Sequence, residues 1–93
     1  MVKKRIWLEG LVRGTDFSIE PLPGKPIVEI AGDRRVLIEN HLGVKAYGRE
    51  KITVNVAYGA ISICGCGLEI LRMTRDQLVI RGRIDGVMLQ RRG

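Results

Sequence analysis

Lys51-Ile52-Thr53-Val54-Asn55-Val56-Ala57-Tyr58 is the stretch whose reading decides the fold class of this chain. Ile52, Val54, Val56 and Tyr58 fall on one side of an extended backbone, and Lys51, Thr53 and Asn55 fall on the other. A period of two with β-branched residues on the apolar side reads as a half-buried strand. The same alternation runs outward in both directions, through Ile27 to Ala31, Arg35 to Asn40, Ala60 to Cys64, Leu68 to Met73 and Gln77 to Gln90. In the last run Leu78, Ile80 and Ile84 share a face with Gly82 and Gly86. Gly82 reads as a bulge or bend rather than an end, so the final strand is expected to pass from one sheet to another.

Turn signals separate these runs about every 8–12 residues. They are Gly32-Asp33, Asn40-His41-Leu42-Gly43, Gly48-Arg49-Glu50, Tyr58-Gly59, Gly65-Cys66-Gly67, Thr74-Arg75-Asp76 and Gly86. Glycine supplies the backbone angles of tight hairpins, and Asp or Asn can bond its own backbone at a turn start. The gaps are too short for crossover helices, which excludes a parallel βαβ architecture. The fold class expected is all-β, a small antiparallel β-sandwich or barrel. Residues 1–25 behave differently and form an N-terminal arm ahead of a β domain at 26–93. Ile6, Trp7, Gly10, Leu11 and Gly14 recur at helical spacing, yet two glycines weaken a helix by about 1 kcal/mol each. The arm is expected as a short helix or a loosely held segment, ended by Pro21, Pro23 and Pro26. Beside Lys3, Lys4 and Arg5 it could dock a partner, lie on a membrane surface, or cover an open end of the sandwich.

With 93 residues the chain is one domain, too short for a cofactor fold with a substrate domain of its own. The longest uncharged stretch, Ile52 to Leu68, is broken by glycines and polar residues and does not read as a membrane helix. Glu9 interrupts the apolar core that a secretory signal would need, so a cytoplasmic location is expected. In that compartment Cys64 and Cys66 are expected as small thiols, buried or half-buried, since a bridge between residues i and i+2 would be strained.

The formal charge of +6 is uneven. Residues 1–26 contribute +2, residues 27–71 nothing, and residues 72–93 a further +4. The C-terminal surplus is all arginine, and Arg72, Arg75, Arg81 and Arg83 are candidate phosphate contacts, because guanidinium forks match phosphate oxygens. The competing expectation is that they are outward strand residues that keep the protein soluble and its sheet edges apart. For stacking on single strands only Tyr47, near Lys45 and Arg49, is well placed.

Chemistry is poorly supplied. His41 is the sole histidine, there is no G-x-S-x-G elbow, and Gly65-Cys66-Gly67 lacks the helix and Lys-Ser/Thr of a phosphate loop and is explained by a hairpin turn. Glu29 and Glu39 read as solvent-facing rather than as an acid and base pair. A metal site would want two soft ligands beyond the thiols, and only His41 is on offer. No enzyme, cofactor, metal or small-molecule substrate is expected.

One stretch does carry a family likeness. Pro26-Ile27-Val28-Glu29-Ile30-Ala31-Gly32 followed by Val36-Leu37-Ile38-Glu39-Asn40-His41-Leu42-Gly43-Val44 resembles the YabP/YqfC family of sporulation proteins, in which a proline-led strand ending in glycine precedes an Ile-Glu-Asn-His-x-Gly turn. Tyr47, Ile52-Thr53-Val54, Gly59, Ile63-Cys64-Gly65, Leu68-Glu69-Ile70, Leu78 to Ile84 and the closing Val87-Met88-Leu89 fit the same pattern. Size and the Thr15-Asp16 arm look closest to the YqfC branch. The resemblance implies an immunoglobulin-like sandwich, a role in endospore formation in the mother cell, and a protein partner, with a YqfD-like membrane sporulation protein the first candidate. It also leaves room for peripheral association with the forespore membrane and for a homo-oligomer. Glu39, Asn40, His41, Gly43 and Tyr47 are then candidate partner-binding residues, the alternative for the first four being a turn and nothing more.

Overall fold

The computed structural model describes residues 24–92. It holds six strands in chain order: β1 (Ile27–Ala31), β2 (Arg35–Glu39), β3 (Val44–Tyr47), β4 (Lys51–Val56), β5 (Gly59–Met73) and β6 (Gln77–Arg91). The all-β expectation is met. The strands form one hydrogen-bonded antiparallel sheet in the order β1-β2-β6-β5-β4-β3. The arm expected ahead of the prolines lies, up to residue 23, outside the described residues.

β5 and β6 are three times as long as β1 and β2, and each serves two halves of the sheet. The first part of β6 pairs with β2 (Arg35↔Arg81 to Glu39↔Gln77) and with the last part of β5 (Glu69↔Arg81 to Met73↔Leu78). The last part of β6 pairs only with the first part of β5 (Gly59↔Arg91 to Cys64↔Gly86), whose other side carries β4 and then β3. Val36, Ile38, Leu78 and Ile80 from one half and Ile52, Val54, Val56, Ile61 and Ile63 from the other belong to a single cluster with Leu68, every member at most 1% exposed. Residues of one face of a sheet reach that burial only when another layer covers them, so the two halves close over each other around a shared core.

The corner between the halves falls at Gly65–Leu68 of β5 and Gly82–Ile84 of β6, where the β5–β6 register slips. The backbones approach so closely that a Cβ on Gly82 would stand 2.7 Å from the Gly67 carbonyl oxygen, and Gly82 also sits at φ 137°. Only glycine meets both demands. The turns of the flanking hairpins clamp the corner from either side. Gly65 and Leu68 donate their N–H groups to the carbonyls of Glu50 and Arg49, and Gly82 and Ile84 donate to those of Arg34 and Asp33.

Three expectations are corrected here. Gly65-Cys66-Gly67 is not a hairpin turn but a bent interior segment of one 15-residue strand, with Cys64 half-buried and Cys66 exposed. Glu29 is buried rather than solvent-facing, and Glu39 is half-buried. The short strand β3 has no counterpart in the alternation, because a register slip between Val44 and Ala46 interrupts the period of two. By contrast, the expected bend at Gly82 inside an unbroken final strand is what the structure shows.

Candidate functional site

β2 leaves the sheet at Glu39, and the next four residues carry the chain across to the other half. Asn40 turns it by adopting φ 63°, the left-handed region that Asn tolerates better than most residues. Its N–H donates to the Asp76 carbonyl at 2.7 Å, and its side-chain amide donates to the Lys25 carbonyl at 2.8 Å. Asn40 therefore ties three separate segments together.

His41 is 6% exposed and uses both ring nitrogens. Nε2 lies 2.8 Å from the Thr74 carbonyl oxygen, which can only accept, and Nδ1 lies 3.0 Å from the Gly43 N–H, which can only donate. These partners assign the neutral tautomer with the proton on Nε2. No lone pair or proton of the ring is left to face a substrate or a metal. Leu42 then donates its N–H to the Asn55 carbonyl at 2.7 Å, Asn55 donates back to the Gly43 carbonyl at 2.8 Å, and β3 begins.

Two side chains of the turn line surface depressions, Glu39 half-buried and Leu42 exposed. Glu39 accepts from the Gln77 amide at 3.2 Å and lines a shallow depression of about 330 Å³ with Ile27, Asn40, Thr74, Asp76 and Gln77. Leu42 is 65% exposed and opens onto a second groove, of about 630 Å³, shared with Lys45, Asn55 and Gln90. Tyr47 is exposed but pairs with Ile52 at the far end of β3, about 13 Å along the strand from Gly43. Thus Glu39, Asn40, His41 and Gly43 are brought together, and Tyr47 is not.

Two of the four candidate arginines are held by carboxylates. Arg81 Nε donates to Glu69 Oε1 at 3.0 Å, and Arg83 grips Asp85 with two hydrogen bonds of 3.2 Å. The hydrogen bond and charge of Asp85 raise the already high pKa of Arg83. Arg72 is exposed on β5 across from Val79 and Arg75 is exposed in the turn before β6, whereas Arg83 lies near the middle of β6. His41 is bonded at Thr74, whereas Cys64 and Cys66 lie ten and eight residues earlier on the chain, near the corner, so neither thiol is its hydrogen-bond partner. Among the described residues no group of three or more His, Cys, Asp or Glu side chains could hold a metal ion, and no helix is long and apolar enough to cross a membrane.

One exposed feature lies outside the candidate site residues, namely the side of β6 that has no pairing strand among the described residues. Met88 is 49% and Leu89 61% exposed on consecutive positions of that strand. Its signal is the run Val87-Met88-Leu89, three apolar residues where a half-buried strand would alternate.

Comparison with known families matches this chain to the model of the YabP family over residues 23–93, most of its length. Searches of curated proteins and of solved structures each found no match.

Proposed function

The chain belongs to the YabP family, which points to a sporulation-related protein, and from that premise we propose that it is a non-enzymatic assembly or scaffold module acting in the mother cell during endospore formation. Its size and Thr15-Asp16 arm favour the YqfC branch, and a YqfD-like membrane sporulation protein at the forespore membrane is the partner proposed. The observation that carries this reading is the state of His41. The one residue of the family-like turn suited to acid–base or metal chemistry is buried with both nitrogens engaged by backbone, so the turn serves shape and leaves Glu39 and Leu42 as its outward contacts. Polar and apolar groups held on a rigid loop are where protein contacts concentrate.

A pull-down from sporulating cells, combined with imaging of the protein's position, tests this proposal. A membrane sporulation partner that is lost on Leu42→Glu supports it. A uniform distribution in the mother cell with no partner counts against it. The competing nucleic-acid reading keeps only Arg72 and Arg75 without a carboxylate partner among the described residues. A titration with DNA and RNA at two salt concentrations separates the two, because phosphate binding would weaken steeply with salt.

A further inference from the structure

Among the described residues four strand sides have no pairing strand: β1, β3, the last part of β5 and the last part of β6. Three of them carry features that discourage pairing with another chain. β1 is preceded by Pro26, β3 is four residues long with a register slip beside Lys45, and the end of β5 slips between Ile70 and Arg72 with charges on either side. The end of β6 also has charges on either side, but these are of opposite sign, and it has neither a proline nor a slip between Gly86 and Arg91. Its centre is Val87-Met88-Leu89.

The direction of its backbone follows from the ladder. Arg92 donates its N–H to the Tyr58 carbonyl at 2.8 Å, so by alternation Gln90 and Met88 also face β5, while Val87 and Leu89 turn their N–H and C=O groups outward. We propose that this edge pairs antiparallel with the same edge of a second copy, with the twofold axis at Met88. The register is self-complementary. Val87 meets Leu89 of the second copy as a hydrogen-bonded pair, and the reciprocal pair makes roughly four new backbone hydrogen bonds. Met88 meets Met88 in the close, non-hydrogen-bonded position. By the same count Asp85, at the slip beside Gly86 and already bonded to Arg83, comes opposite Arg91 of the second copy, which lies over its own Tyr58 ring, so opposite charges bracket an apolar centre at each end. A shift of one residue in either copy breaks the charge pairs, which fixes the register. Such a contact is isologous and closes at two copies, joining two six-stranded sheets into one.

Sedimentation equilibrium in reducing buffer, from low micromolar to near-millimolar protein, tests the proposal. The wild-type mass is expected to rise with concentration from the 10.4 kDa of one chain towards twice that value. Leu89→Lys, at an exposed position, and Arg91→Asp, which sets two carboxylates face to face, should both stay at monomer mass with unchanged melting temperature. Asp85→Arg combined with Arg91→Asp should restore the dimer by exchanging the charges. A wild-type protein that remains a monomer throughout overturns the proposal and leaves the edge for a strand of another protein. A dimer that persists in both single variants overturns it as well.

Discussion

The turn at Glu39–Gly43 and the free side of β6 at Asp85–Arg91 are both surface regions, and they differ in where their polar backbone groups go. At the turn the N–H groups of Asn40, Leu42 and Gly43 all donate within the chain, and the sole histidine is spent on two backbone partners. At the edge Val87 and Leu89 have no backbone partner on their outer side among the described residues and stand beside exposed apolar side chains. Internal satisfaction makes the first region architecture, and its absence makes the second a surface that gains by meeting another strand.

Substitutions should separate the two regions by what they change. The largest effect on stability is expected at His41. His41→Ala strands the Thr74 carbonyl and the Gly43 N–H in a buried site, and denaturant unfolding should show a loss of about 2–4 kcal/mol. Asn40→Ala should cost about 1–2 kcal/mol, since alanine loses the bond to Lys25 and disfavours the left-handed backbone. Asn40→Gly should cost less, because glycine keeps that conformation. Smallest of all, Leu42→Ser and Leu89→Lys should each move the unfolding midpoint by no more than about 0.5 kcal/mol. The first would act only on partner capture and the second only on mass. A large stability loss at Leu89, or none at His41, would break the comparison.

Much of the fold was legible because it is written locally. Alternation placed β1, β2, β4 and the two ends of β5 and β6, since each residue's face follows from its parity. β3 escaped because the slip at Lys45 destroys parity over four residues. Gly65-Cys66-Gly67 looked like a turn because small residues permit one, and only the approach of Gly82 to Gly67 shows that they instead bend a continuous strand. Glu29 looked solvent-facing from its parity, whereas its burial depends on what surrounds the outer face. At the site, Asn40 and Gly43 were readable as turn formers. The partner that fixes His41 was not, as Thr74 lies 33 residues away in sequence. The open side of β6 was equally hidden, because which strand borders solvent depends on strand order rather than on any one segment.

Residue-resolved amide hydrogen exchange at two protein concentrations tests the contrast most directly. The Gly43 amide, bonded to His41 Nδ1, should be protected equally at both, while the Leu89 amide should exchange freely in dilute protein and gain protection as concentration rises. A Gly43 amide that exchanges freely, or a Leu89 amide whose protection ignores concentration, would contradict the account.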